Sequence, residues 1–132
     1  RFTVEMARLP SSKLNPNTVS RKGGMWWAYA QAKKQDTEAS AMQARTVRLP
    51  RTMPWDKVSV NVHFVIPYVK SRRLRDWDNL IASCKGFWDG LVTTGVLTDD
   101  NMDVIQRVSF SAEYKQGHEA ATIFEIERFE DG

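Results

Sequence analysis

The chain has 132 residues, which suits one domain spanning 1–132. Its 42% apolar and 27% charged residues are ordinary for a soluble globular protein. No apolar run approaches the roughly 20 residues needed to cross a bilayer, and no secretory signal pattern is visible, so no membrane partner is expected. The sequence opens on Arg1, so the native start can lie upstream. One cysteine, Cys84, excludes an internal disulfide and fits a reducing, cytoplasmic compartment; a buried, inert thiol is its ordinary role. The net charge of +3 is modest, but its placement is informative. Lys70, Arg72, Arg73 and Arg75 fall within six positions, and Lys13, Arg21 and Lys22 form a second group. Such clusters can neutralise phosphates, although either one alone also reads as a solvated loop.

Phe2 to Met6 alternates apolar and polar residues, as a half-buried strand does, and Pro10 follows it. Residues 10–24, with Pro, Asn, Ser and Gly23-Gly24, read as a loop. From Met25 to about Arg45 the good helix formers Ala, Gln, Lys, Glu and Met predict a helix. Trp26, Tyr29 and Ala30 open an apolar stripe on it, and its second half reads as polar and exposed. Pro50 and Pro54 punctuate the next connection. Val58, Val60, Val62, Phe64 and Ile66 then alternate with Ser59, Asn61 and His63, the clearest strand in the chain, which Pro67 is expected to stop. His63, on the polar face, is expected to be a surface or edge histidine rather than a ligand.

Leu80, Ile81, Cys84, Phe87, Trp88 and Leu91 recur at helical spacing, with Asp78 or Asn79 available as the cap and Gly95 suited to the end. Val104, Gln106, Val108, Phe110, Ala112 and Tyr114 mark a third strand, and Thr122, Phe124 and Ile126 a fourth, with a turn at Gln116-Gly117-His118. The order β-α-β-α-β-β predicts a single α+β domain: a mixed four-stranded sheet with helices packed on one face and the last two strands forming a hairpin.

Arg75-Asp76-Trp77-Asp78-Asn79 is the segment that carries chemistry. Two carboxylates two residues apart would point the same way from an extended strand end. Asp99-Asp100 follows the second predicted helix, so the chain must double back for Asp100 to meet them. Three carboxylates around one point require a compensating cation, and hard oxygen ligands suit Mg²⁺ or Mn²⁺. Lys85, seven residues after Asp78, lies two turns along the same helical face, and Asp89 is placed to pair with it. Each piece also has a plain structural reading: Asp78 as a helix cap, Asp99-Asp100 as a solvated turn. The calcium-loop reading of Asp99-x-Asn101-x-Asp103 fails, because Val104 stands where Gly is needed and Phe110 where Glu is needed. Phosphate-loop and zinc-type spacings are lacking, and Cys84 inside an apolar stripe does not suit a reactive thiolate. Trp77 can stack on a splayed base or pack inward.

Taken together, residues 72–105 resemble the RusA family of crossover-junction endodeoxyribonucleases. The family pattern Arg-Asp-x-Asp-Asn, then Lys, then Asp-x-Leu, then Asp-Asp falls on Arg75-Asp76-Trp77-Asp78-Asn79, Lys85, Asp89-Gly90-Leu91 and Asp99-Asp100. In one member of the family the Lys comes one turn after the second Asp, whereas here it comes two turns after, as if three residues were inserted. Outside 72–105 the likeness is weak. The resemblance implies a homodimer, of bacterial, prophage or phage origin, that binds four-way (Holliday) junctions and cuts two strands symmetrically in recombination and repair. It implies that Asp76, Asp78 and Asp100 hold Mg²⁺, with Mn²⁺ able to substitute, and that Lys85 assists catalysis at the scissile phosphate. Lys70, Arg72, Arg73 and Arg75 would then position the DNA backbone. Two other readings are a non-catalytic branched-DNA-binding protein and a nuclease for another branched substrate, such as flaps or RNA hybrids.

Overall fold

The computed structural model describes residues 1–14, 26–72 and 75–130. Its elements are β1 (Phe2–Met6), a 3-10 turn (Ser12–Leu14), α1 (Trp26–Thr46), β2 (Val58–Tyr68), α2 (Trp77–Ala82), α3 (Lys85–Thr93), β3 (Ile105–Gln116) and β4 (Ala121–Arg128). They form the expected single α+β domain with a mixed four-stranded sheet. The strand order is β1-β4-β2-β3, with β2 and β3 parallel and the other two pairings antiparallel. No described helix is long and apolar enough to cross a membrane.

Alternation fixes which side of the sheet is covered. Val58, Val60, Val62, Phe64 and Ile66 of β2 are buried on the helical side with Val4, Phe124 and Ile126. Each such side chain contributes about 1.5–3 kcal/mol by leaving water. Phe87 and Trp88 of α3 meet the Phe124 ring edge-on, at 6.3 and 4.9 Å between centroids.

The expected hairpin between the last two strands does not form. β4 lies between β1 and β2, and the short connection after β3 crosses over the end of β2. Gly117, with φ of 70°, donates its N–H to the Tyr68 carbonyl, so the turn residues serve this crossover. Crossing it lets β2, the most apolar strand, pair along both edges. Pro67 does not stop β2 either, and the strand runs to Tyr68. Pairing with β4 ends at Val65↔Ala121, so the missing proline N–H falls where no β4 residue is paired.

The helices also depart from the expectation. The buried positions of α1 are Ala28, Ala32, Asp36, Ser40, Ala41 and Ala44, while Trp26 and Ala30 are exposed. One face of the polar second half is therefore inside, because its small side chains face two glycines of α3, while Lys34, Glu38, Met42 and Arg45 stay exposed as expected. A β-carbon on Gly86 would lie 2.6 Å from Cβ of Asp36, and one on Gly90 would overlap Oγ of Ser40 and the carbonyl of Thr37. Asp36, fully buried, is held by Arg8 at 2.8 Å and by the Ser11 N–H at 2.9 Å. Burial pushes its carboxyl above the usual range, against the pull of Ser11 and Arg8.

Candidate active site

The single helix expected after Asp78 is two. Its cap is neither Asp78 nor Asn79: Asp76 occupies the N-cap with extended backbone (φ −86°, ψ 134°) and makes no side-chain cap hydrogen bond. Helical backbone begins at Trp77, so Asp76 and Asp78 do not share the direction that a strand end would give them. Asp78 lies in the first turn of α2, where a negative charge is favoured by the helix dipole. Both carboxylates are exposed. Trp77 has a mixed role: its ring lies 6.3 Å from that of Phe64, while 47% of the residue stays exposed.

The chain kinks between the two helices at Ser83-Cys84. Ser83 Oγ donates to the Asn79 carbonyl at 2.7 Å, and the Cys84 N–H turns back to Ile81. Because of this break Lys85 begins a new helix instead of riding two turns up the old one. Its Nζ lies 3.0 Å from Asp89 Oδ1 and 3.1 Å from Asp100 Oδ2. The expected Lys85–Asp89 pair is therefore present, and Asp100 joins it from across the fold. Hydrogen bonds to Asp89 and then Asp100 push the Lys85 ammonium above its ordinary pKa. Partial burial pushes Asp100 up, but the Lys85 hydrogen bond and charge outweigh it and hold the carboxyl below its usual range.

The Asp99-Asp100 pair divides its work. Asp99 Oδ1 accepts the Asp100 N–H at 2.7 Å, its Oδ2 accepts from Asn101 at 3.2 Å, and Asn101 Oδ1 accepts the N–H groups of Asp103 and Val104. These bonds build the loop and leave the Asp100 side chain facing Lys85. Ile81, one turn after Asp78 on the same side of α2, shares with Asp100 a groove of about 270 Å³ that Trp88, Met102, Val108 and Phe110 also line. The groove thus joins α2, at Ile81, to the Asp100 loop.

In kind, these donors fit a hard divalent cation: carboxylate oxygens, two of them on exposed side chains. Among the described residues, no three Asp, Glu, His or Cys side chains are gathered closely enough to hold one metal ion. What the structure brings together is Lys85, Asp89 and Asp100, with Asp76 and Asp78 exposed at the start of α2.

Of the basic residues, Lys70, Arg72 and Arg75 are exposed, while Arg73, Arg21 and Lys22 lie outside the described residues. Tyr114, which the sequence marks only as a strand residue, anchors this loop. Its hydroxyl accepts the Arg75 N–H at 3.1 Å, and the Arg72 guanidinium lies 5.6 Å from its ring centre. Lys33 of α1 is a second residue that sequence reasoning missed: its Nζ stands 3.3 Å from Asp89 Oδ2. No motif signals either one, because both contacts depend on how elements pack. His63 is half-buried, with Nδ1 2.8 Å from Ser111 Oγ and Nε2 3.6 Å from Glu113, both on β3.

A family model described as endodeoxyribonuclease RusA matches residues 9–127 of the chain. No curated protein and no solved structure matches it.

Proposed function

We propose that this chain, which belongs to the RusA family of endodeoxyribonucleases, resolves four-way DNA junctions by metal-dependent phosphodiester hydrolysis in recombination and repair. The observation that carries the reading is the Lys85–Asp100 contact. It brings together the lysine and the second acidic segment of the family pattern across the break in the helix. Asp76, Asp78 and Asp100 would hold Mg²⁺, with Mn²⁺ able to replace it. Such an ion supplies activation of water and neutralisation of charge on the phosphate.

The chain's own residues do the rest. Lys85 holds a positive charge beside Asp100, where the scissile phosphate would sit, and Asp89 keeps it oriented. Lys70, Arg72, Arg73 and Arg75 carry the backbone past the acidic residues, so binding follows the shape and charge of the junction rather than its base sequence. A homodimer would offer two such sites and cut two strands symmetrically.

Cleavage of a synthetic four-way junction with Mg²⁺ tests this, comparing wild type with Asp76→Asn. The expected result is nicked duplexes from the wild type and their loss in the variant. Undiminished cutting by Asp76→Asn would refute the assignment. Calorimetric titration with Mg²⁺ separates it from a non-catalytic junction binder, which would take up no ion near millimolar concentration.

A further inference from the structure

Trp26 and Tyr29 stack at the start of α1, with ring centres 5.6 Å apart and planes 13° from parallel. Trp26 is 68% exposed and its neighbour Trp27 66%. Single exposed apolar residues are ordinary on a protein surface; a preformed aromatic stack beside a second exposed indole marks a contact surface.

Helix packing determines where this stack lies. Gly86 of α3 abuts Lys33, Asp36 and Thr37, and Gly90 abuts Thr37, Ser40 and Ala41. Residue numbers rise together along both helices, so α1 and α3 run in the same direction. The start of α1 is therefore at the Lys85 end of α3. Trp26, Tyr29 and Lys33, spaced by three and four, share one face of α1. Lys33 contacts Asp89, Asp89 contacts Lys85, and Lys85 contacts Asp100. An unbroken line of contacts thus runs from below the aromatic stack to the candidate active site. Trp26 lies seven residues before Lys33, about 10 Å along the helix axis, which is roughly three nucleotide steps of a DNA strand.

The charge on this helix and the turn packed against it points to the occupant. Lys34 is exposed on α1, and exposed Lys13 belongs to the 3-10 turn that touches both α1 and α2. A flat aromatic face with Lys33 one turn further along the same side of the helix, in line with the candidate active site, suits a nucleobase carried on a phosphate backbone. We infer that the Trp26–Tyr29 stack is a platform for a nucleobase of the DNA substrate that is unstacked at the branch point, a few nucleotides from the bond to be cut. The inference rests on the nuclease reading above. Tyr29 holds the indole in place before DNA arrives, so little side-chain freedom is lost on binding.

Equilibrium binding to a labelled four-way junction, a single strand and a linear duplex, at one salt concentration, tests the platform. Trp26→Ala should weaken junction and single-strand binding about tenfold or more and change duplex binding less than twofold, because bases stacked inside a continuous duplex present no free face, whereas those at a branch point or in a single strand do. Trp26→Phe should restore most of the loss, and thermal melting should be unchanged for both variants. Equal affinity of Trp26→Ala and wild type for the junction would overturn the platform, as would equal losses on all three DNAs. Wild-type protein that neither binds nor cuts the junction would instead overturn the nuclease reading, and the platform with it.

Discussion

Lys85 Nζ stands 3.1 Å from Asp100 Oδ2, joining the first residue of α3 to a loop fifteen residues further on. The Asp100 N–H in turn donates to the Asp99 carboxylate, which fixes the loop backbone. The pair is partly exposed, so its direct contribution to stability is small, at about 0–1 kcal/mol. Asp100→Asn is therefore expected to melt close to wild type while cutting a junction roughly 100-fold or more slowly, since even groups that only support a metal ligand cost about 10–100-fold. Thermal melting and single-turnover cleavage measured on the same preparation check this. A variant that lost its fold along with its activity would make Asp100 a structural residue.

Tyr114 ties the basic loop to the end of β3 through its hydroxyl and its ring. Tyr114→Phe removes the acceptor for the Arg75 N–H, and Tyr114→Ala removes the surface under Arg72 as well. At about 0.5–1.5 kcal/mol for the hydrogen bond and 0.5–1 kcal/mol for the cation–ring interaction, junction affinity should fall roughly threefold and then about tenfold. Titration of each variant with labelled junction gives the two values. Mg²⁺ uptake should not change in either.

Arg72 and Lys70 act, on this reading, through phosphate charge alone. Replacing either by Ala should lower the slope of log affinity against log salt by about 0.9 for each phosphate that the side chain neutralises. Binding curves from low to physiological salt provide the test, and an unchanged slope would place that residue outside the DNA path.

Gly90 sits where α1 and α3 press together. A methyl group there would overlap Ser40 Oγ and the Thr37 carbonyl and lie 2.9 Å from the Ala41 nitrogen. Gly90→Ala should destabilise the fold by about 3 kcal/mol, at the upper end of the usual cost of overpacking. Adding Ser40→Gly should restore only part of that loss, because the Thr37 carbonyl belongs to the backbone. Urea denaturation of the single and double variants measures both numbers.

Burial, reinforced by the nearby Asp36 charge, pushes the Cys84 thiol up to about 12. The folded thiol is therefore neutral throughout the working range, whereas the unfolded thiol ionises near its ordinary value of 9.0. The folded value is the higher one, so this contribution to stability is intact below pH 9 and is lost as pH rises towards 12. Iodoacetamide at pH 8.5 should leave native protein unmodified and label it rapidly in urea, as mass spectrometry would show. Fast labelling of the native state would contradict the buried position.

The strands of the sheet and the chemistry of the site are written locally along the chain. Alternation over Phe2–Met6 and Val58–Ile66 specifies strands and their buried faces, because side chains on a strand alternate sides whatever its neighbours are. Arg75-Asp76-Trp77-Asp78-Asn79, Lys85 and Asp99-Asp100 were legible as one set because their residue types and order form a pattern along the chain. Which strand lies beside which is settled only by packing in three dimensions, which places β4 between β1 and β2 where a hairpin was expected. Packing also buries one face of the polar half of α1, since only the facing Gly86 and Gly90 make room for Asp36 and Ser40. The kink at Ser83-Cys84, which brings Lys85 to Asp100, and the contacts of Lys33 and Tyr114 belong to the same class. Each depends on distances between segments remote in the chain, and local propensity and periodicity carry no information about those distances.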